Sequence, residues 1–223
     1  MIAGVELGEV RTRVAAASRR LAAEGLVLGT AGNVSERAGD CVAITPTGGV
    51  LAELEPEQVT VVDLDGRVVA GDLAPTSEVQ LHLGAMRAHG AGAVVHTHAP
   101  MSTAAACVLD ELPCVHYGML ALGGPVPVAP YEVFGTPALA SSVVDALAGR
   151  TAALMANHGA VTTGETVEVA VELSLLLEWA AEVYLHAAAV GTPRVLDEEQ
   201  RAAVIAAALE RGYGETRAAG EGP

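Results

Sequence analysis

Residues 75–100 read PTSEVQLHLGAMRAHGAGAVVHTHAP, and this stretch decides the expected fold class. Apolar residues at helical spacing between Val79 and Met86 predict a helix, which Gly90 ends. The apolar run in AVVHTHAP (93–100) then predicts a short strand that its final proline stops. A helix followed directly by a strand indicates a layered protein in which helices pack on a sheet.

Outward from this unit, helices and short strands alternate along the chain. Helices are predicted over residues 6–24, 101–109, 141–149, 165–190 and 197–211. Strands are predicted over residues 41–45, 58–63, 113–120, 126–131 and 151–159. A DG step within residues 61–71 predicts a hairpin, whereas GTAGNVSER (29–37) has the composition of a turn. The pattern predicts an α/β or α+β domain with a mixed sheet, and we expect the tail 218–223 to be disordered.

Composition and charge argue against several classes of protein. The 223 residues suit one domain, and the formal net charge of −15 disfavours nucleic acid or an anionic membrane as a partner. Widely spaced cysteines without a CxxC motif, and an acidic N-terminus unlike a signal peptide, indicate a reduced cytoplasmic protein. The apolar segment 167–190 carries glutamates along one side, so we expect a buried helix with a solvated edge and not a membrane span.

Two histidines, His96 and His98, stand one residue apart at the end of the predicted strand. Alternate strand residues share a face, so both imidazoles could bind one metal ion, or could simply occupy a solvated face. His158, in the sequence NHG after another apolar run, is a candidate third ligand or an ordinary turn residue. Three neutral imidazoles with an open position suit catalytic zinc. We expect His82 and His89, which share a helix face, at the surface.

The segment PTSE (75–78) opens the predicted helix, where Thr76 or Ser77 could cap it. Glu78 falls in the first turn, where the helix dipole stabilises a carboxylate, so its local sequence favours an ordinary helix-start glutamate over a functional one. Hydroxyls beside free backbone N–H groups also make a cradle for phosphate. Two further polar turns could close around the same anion and would contribute Gly32, Asn33, Thr47 and Gly48.

Taken together and in order, these motifs resemble the class II aldolase/adducin family. The matching stretches span about residue 29 to residue 214 and are GTAGNVS (29–35), ITPTG (44–48), PTSE (75–78), VVHTHAP (94–100), VHYGML (115–120), APYEVFGT (129–136), NHG (157–159) and YG (213–214). The resemblance implies a single domain over residues 1–217 with a three-layer α/β/α sandwich and a central, largely antiparallel mixed sheet. It also implies a cyclic homotetramer with active sites between subunits.

The resemblance also assigns roles to individual residues. One zinc ion per subunit would be bound by His96, His98 and His158. Glu78 would be the catalytic acid/base, and could also ligate the metal when no substrate is bound. Tyr117 would reach a neighbouring subunit's site and act as the acid at the aldehyde oxygen. The residues that hold the phosphate or close the site would be Gly32, Asn33, Thr47, Gly48, Thr76, Ser77 and Tyr213.

The implied activity is cleavage of a ketose 1-phosphate, such as L-fuculose 1-phosphate, to dihydroxyacetone phosphate and an aldehyde through a metal-stabilised enediolate. The chain contains no lysine, which excludes an aldolase that forms a Schiff base. Glutamate at position 78 favours an aldolase over the related pentulose-phosphate epimerases, which generally carry aspartate there. The alternatives within the family are a methylthioribulose-1-phosphate dehydratase and a decarboxylase of a phosphorylated sugar acid. A non-catalytic oligomeric scaffold is the alternative from another class.

Overall fold

The computed structural model describes residues 4–211, with side chains from Leu7 onward. The α-helices in this part of the chain are α1 (Gly4–Ala23), α2 (Val79–His89), α3 (Pro100–Ala106), α4 (Pro137–Ala146), α5 (Val167–Val190) and α6 (Glu198–Arg211). The strands are β1 (Asn33–Ala38), β2 (Cys41–Ile44), β3 (Thr60–Asp63), β4 (Val68–Ala70), β5 (Ala93–Thr97), β6 (Glu111–Leu112), β7 (Val126–Ala129), β8 (Ala152–Met155) and β9 (Gly159–Gly164). Tyr213 and the tail 218–223 lie outside the described residues.

The strands form one sheet in the order β4-β3-β2-β1-β5-β9-β8-β7-β6. All neighbouring strands run antiparallel except β7 and β8, which are parallel. The DG step lies in the β3–β4 hairpin, as predicted. The central position of β5, between β1 and β9, brings residues from three distant parts of the chain to one end of the sheet.

Helices cover both faces of the sheet because its central strands carry apolar side chains on both sides. Ile44, Val62 and Val94 pack with helices α2 and α4 on one face. Val61 and Val95 pack with α1 and the start of α5 on the other face. Each fully buried aliphatic side chain of this kind contributes about 1.5–3 kcal/mol to folding. The result is the three-layer α/β/α sandwich with a largely antiparallel mixed sheet that the family resemblance implies.

Helix α5 is long and apolar enough, by length and composition alone, to cross a membrane. Its apolar side is nevertheless used inside the fold, where Val171 packs with α1 and the sheet. Further along, Leu177 and Ala181 are buried in the cluster that includes α3 and β8. The expectation of a core helix with a polar edge is therefore confirmed for Val167–Val190, and Glu172 on that edge is exposed and pairs with Arg20 at 2.6 Å.

Several predicted boundaries are wrong. The stretch 29–37, predicted as a turn, contains most of strand β1. Residues 113–120, predicted as a strand, form a loop followed by a 3-10 helix (Tyr117–Leu122) that the His116 side chain caps by accepting from Gly118 N. Strand β9 was not predicted. Helix α2 begins at Val79, after an N-cap at Glu78 whose own side chain makes no cap bond. Of the two proposed capping hydroxyls, that of Thr76 accepts a hydrogen bond from the backbone N–H of Glu78 at 3.3 Å, just before the helix.

Candidate active site

Three histidine side chains converge at one end of the sheet. His96 is in β5, His98 follows that strand by one residue, and His158 lies in the turn between β8 and β9. The ring centroids of these histidines are 4.7–5.0 Å apart, and one potential ligand atom from each lies within 4.8 Å of the others. Because β5 pairs with β9, the predicted pair and the predicted third ligand meet at one point. These histidines could bind a metal ion.

Two glycines allow the chain to pass close enough to form this site. A Cβ on Gly159 would lie 2.2 Å from the carbonyl oxygen of Thr97, so only glycine fits in the turn after His158. A Cβ on Gly32 would lie 2.8 Å from the His96 carbonyl oxygen, and its φ of 87° is in the left-handed region. Both backbone approaches are needed to bring the neighbouring strands against β5 at this end.

The protonation pattern of the histidines suits a metal. Nδ1 of His96 donates to the carbonyl oxygen of Ala160 at 2.9 Å, which leaves the Nε2 lone pair facing the cluster. Nε2 of His98 lies 2.9 Å from that atom. Burial, with the neighbouring imidazoles, lowers the pKa of His98 to about 4 and also lowers the pKa of His158. Neutral imidazoles are the form that ligates zinc and similar ions, so the residues present fit a divalent cation.

Glu78 faces this cluster from the start of α2. Its Oε2 lies 3.3 Å from His96 Nε2, and its Oε1 lies 3.5 Å from His158 Nε2. Oε2 accepts a hydrogen bond from the Asn33 side chain at 2.8 Å, whereas the buried Oε1 has no hydrogen-bond partner among the described residues. Burial acts to raise the pKa of Glu78, but the histidines and the Asn33 bond outweigh it and lower the pKa. The carboxylate is therefore ionised at neutral pH, with one oxygen held and the other available to a cation or substrate.

A cleft of about 380 Å³ opens over Glu78, His98 and His158. The fully buried His96 lies behind it. The loops TPTG and PTSE are held side by side, since Thr47 N donates to Ala74 O and Thr76 N donates to Thr45 O, both at 3.0 Å. The cleft is also lined by every described residue predicted to bind phosphate, namely Gly32, Asn33, Thr47, Gly48, Thr76 and Ser77. The structure thus brings these residues together with the histidines and Glu78.

Tyr117 does not line this cleft within one chain. It lies at the start of the 3-10 helix that follows β6, and its ring is 4.4 Å from that of His116. His116 in turn makes an edge contact with Trp179, at a centroid distance of 4.8 Å. The side chain of Tyr117 is 45% exposed. Its predicted role at a neighbouring subunit's site stays a prediction, as does the role of Tyr213.

Two site residues have surroundings that sequence reasoning missed. His82, expected at the surface, is fully buried and bonds Ser35 and Asn33 directly beneath Glu78. Glu178, expected on a solvated edge, accepts from the backbone N–H groups of Met101 and Ser102, both at 2.8 Å. The available signal for His82 was its spacing, four residues after Glu78, which places the two on one side of a helix. No sequence pattern links Glu178 with Met101 and Ser102, which lie more than 70 positions earlier in the chain.

The Glu178 carboxylate fixes the first turn of α3, which begins two residues after His98. Replacing Glu178 by alanine is expected to lower the free energy of unfolding by about 1–2 kcal/mol, since two helix-terminal N–H groups lose a charged acceptor. Urea unfolding would measure the change. Glu172→Ala on the same helix is the matched control and should change stability by less than about 1 kcal/mol, because its pair with Arg20 is exposed. Equal losses in both variants would contradict the capping role.

The metal-free protein is expected to lose stability as the pH falls below 6.5, in part through His82. Burial is the main cause that lowers the pKa of His82 from 6.5 to about 3, and the nearby His96 adds to the shift. Between those two pH values the unfolded chain binds a proton that the folded chain does not. The free energy of unfolding therefore falls by about 1.4 kcal/mol for each unit by which the pH is lowered. Urea unfolding measured from about pH 7 to about pH 4 should show that the free energy of unfolding falls less steeply in His82→Gln than in the wild type. His89 is exposed, so His89→Gln should show the same pH dependence as the wild type. The same pH dependence in the wild type and in both variants would contradict a buried, neutral His82.

Comparison with known proteins agrees with the geometry of the site. Residues 12–185 match the family described as Class II Aldolase and Adducin N-terminal domain. The chain is 36% identical over 198 residues to a 5-deoxy-D-ribulose 1-phosphate aldolase of Bacillus thuringiensis, covering 87% of this chain and 92% of that protein. It is 39% identical over 184 residues to the L-fuculose phosphate aldolase of Escherichia coli, covering 81% of this chain and 85% of that protein.

A solved structure of an L-fuculose 1-phosphate aldolase superposes with a TM-score of 0.87 at 30% sequence identity, covering 94% of this chain and 98% of that one. Fold, site and family match therefore define an enzyme of the aldolase type. The chain belongs to the class II aldolase and adducin family. Its similarity to the L-fuculose 1-phosphate aldolases, expected from the motifs, is confirmed.

Proposed function

We propose that this chain is a zinc-dependent aldolase that cleaves a ketose 1-phosphate, such as L-fuculose 1-phosphate, to dihydroxyacetone phosphate and an aldehyde. The observation that carries the proposal is the position of the Glu78 carboxylate, 3.3 Å from His96 and 3.5 Å from His158, in a cleft lined by the candidate phosphate residues. A metal site, a carboxylate base and a phosphate cradle side by side are the parts that this reaction requires.

The phosphate of the substrate would be held by the three polar turns that line the cleft. Backbone N–H groups and the hydroxyls of Thr47, Thr76 and Ser77 are the donors available there. No lysine is present to bind the anion or to form a Schiff base. A phosphate held there would keep the sugar's carbon chain in the cleft that His98 and Glu78 also line.

His96, His98 and His158 would hold one zinc ion, which when bound supplies Lewis acidity that stabilises negative charge on the substrate oxygens. The free Oε1 of Glu78 is the proton carrier in our proposal. In the cleavage direction Oε1 first takes up a proton from solvent, and after the C3–C4 bond breaks it gives that proton to C3, which releases dihydroxyacetone phosphate. In the condensation direction it removes that proton. The lowered pKa of Glu78 supports its ionised form as the resting base.

The proton at the aldehyde oxygen requires a second group, and we assign it to Tyr117 from a neighbouring subunit. The partial exposure of Tyr117, away from the cleft of its own chain, supports a contribution to another subunit. The expected assembly is the cyclic homotetramer of the family, in the cytoplasm, with no nucleic-acid or membrane partner. Tyr213 would help to close the site over the substrate.

The relatives are named for two different substrates, L-fuculose phosphate and 5-deoxy-D-ribulose 1-phosphate. Their names therefore do not decide which aldehyde this chain would release. Among the alternatives, a methylthioribulose-1-phosphate dehydratase or a decarboxylase would use the same metal histidines. An epimerase fits less well with glutamate at position 78. A scaffold would have no use for the buried, ionised carboxylate of Glu78.

A panel of ketose 1-phosphates tests the proposal. Zinc-loaded protein would be incubated with L-fuculose, L-rhamnulose, 5-deoxyribulose and methylthioribulose 1-phosphates, and released dihydroxyacetone phosphate would be measured with a coupled dehydrogenase. We expect release from at least one member in equimolar amount with an aldehyde. Loss of water from methylthioribulose 1-phosphate, without dihydroxyacetone phosphate, would favour the dehydratase. Turnover of no member would contradict the proposed function.

A further inference from the structure

A chain of buried polar side chains leads from Glu78 at the cleft, through Asn33, to residues in the interior of the protein. His82 is at its centre and is fully buried, one helical turn after Glu78 on α2. Its Nδ1 is 2.7 Å from Ser35 Oγ, and its Nε2 is 2.5 Å from Asn33 Oδ1. Both partners lie on β1, the strand next to β5. None of the roles assigned above uses His82.

The direction of each hydrogen bond follows from the carboxylate. Ionised Glu78 can only accept, so the Asn33 side chain presents its NH₂ group to Oε2 and its Oδ1 to His82. Nε2 of His82 must therefore carry the proton and donate to Asn33. Nδ1 then accepts from the Ser35 hydroxyl. Each of the three hydrogen bonds in the chain Ser35–His82–Asn33–Glu78 then joins one donor to one acceptor, and the ionised carboxylate at its end sets the direction of all three.

We propose that His82 is a positioning residue of the active site: through Asn33 it holds Glu78 with Oε2 anchored and Oε1 directed at the metal histidines. This inference rests on the proposed function, because Glu78 is taken as the proton carrier. His82 acts through this hydrogen-bond geometry and not through charge, since burial keeps its imidazole neutral. Without the His82 donor, the buried Oδ1 of Asn33 would lose its partner.

The amide of Asn33 is the part of this chain that can take up a wrong orientation. Its two ends differ only in being donor or acceptor, so a flip by half a turn would fit the same space. A flipped amide would place Oδ1 against the Glu78 carboxylate, and that contact is repulsive. The carboxylate would then rotate away from its present orientation. While Nε2 of His82 carries the proton, the flip is opposed, because that proton needs the amide oxygen as its acceptor.

Two substitutions of His82 separate this role from a merely structural one. In His82→Gln the side-chain amide can reach Asn33 as Nε2 does, whereas in His82→Asn the shorter amide can reach only the Ser35 side. Both variants bury an amide in place of an imidazole, so a purely structural role predicts equal defects. We expect His82→Gln to keep kcat within about threefold of the wild type. We expect His82→Asn to lose roughly 10- to 100-fold, which is typical when a supporting hydrogen bond of a site is removed.

The measurements are kcat for the best substrate of the panel, zinc per subunit and urea unfolding. We expect both variants to bind zinc and to lose similar stability, so that only kcat separates them. Equal kcat in the two variants, whether high or low, would overturn the role of His82 while wild-type cleavage would still support the proposed function. A wild type that cleaves no ketose 1-phosphate would overturn both. The ring ¹⁵N shifts of His82 give a readout without activity: protonation on Nδ1 in place of Nε2 would also overturn the assignment.

Discussion

Replacing His96 by alanine is expected to yield a protein that purifies without stoichiometric metal and cleaves its substrate about 10³-fold more slowly. The imidazole of His96 is fully buried, and its Nε2 lies between His98 and Glu78. With this ligand removed, two histidines remain, and a site that loses its ion loses several kcal/mol of transition-state stabilisation. Elemental analysis and the rate of dihydroxyacetone phosphate release would measure the two effects.

The control for His96→Ala is His89→Ala. His89 is an exposed histidine at the end of α2 that donates to the carbonyl oxygen of Val144. This variant should keep both metal and activity. Unchanged metal content in His96→Ala would show that the three histidines do not form the site. Loss of metal from both variants would point to a general defect of folding, which urea unfolding of the two proteins would reveal.

Replacing Glu78 by glutamine is expected to leave the metal bound and to slow proton exchange at C3 of dihydroxyacetone phosphate by about 10²–10⁴-fold. The amide keeps the size of the carboxylate but cannot accept and return a proton, which removes general acid–base catalysis. Exchange is measured by NMR in deuterium oxide with dihydroxyacetone phosphate alone, so the unknown aldehyde plays no part. Cleavage of the ketose phosphate should fall in parallel.

Glu172→Gln makes the same chemical change at an exposed carboxylate on α5 and should leave exchange at the wild-type rate. Exchange at the wild-type rate in Glu78→Gln as well would remove Glu78 from its proposed role, while the metal site could still stand. Loss of exchange together with loss of metal would indicate that Glu78 serves chiefly as a ligand.

The fold class could be predicted because the periodicities of helices and strands depend on residues that are close in sequence, as in α2 followed by β5. Strand β1 could not, since its buried residues include Ser35 and Glu36, which satisfy their polar groups through His82 and Arg13. A polar strand of this kind reads as a turn until its distant partners are known. Residues 113–120 were misread for the opposite reason: an apolar composition without the backbone preference of a strand, interrupted by Pro113 and Gly118.

The candidate site was predictable to the extent that its residues lie in short motifs. The spacing of His96 and His98, and the glycine after His158, point to one end of a sheet, and the structure places all three there. The environment of Glu78 was not predictable. Its anchoring by Asn33 spans 45 residues, and the support from His82 depends on how α2 packs over β1. Contacts of this kind are fixed by tertiary packing and leave no local periodicity.

The central claim is that the histidine cluster makes this protein a metal-dependent aldolase. The most direct measurement compares wild-type protein stripped by a chelator with the same preparation after addition of zinc, on one cleavable ketose 1-phosphate. We predict that stripping abolishes release of dihydroxyacetone phosphate and that about one equivalent of zinc per subunit restores it. Full activity of the stripped protein, confirmed metal-free by elemental analysis, would contradict the account.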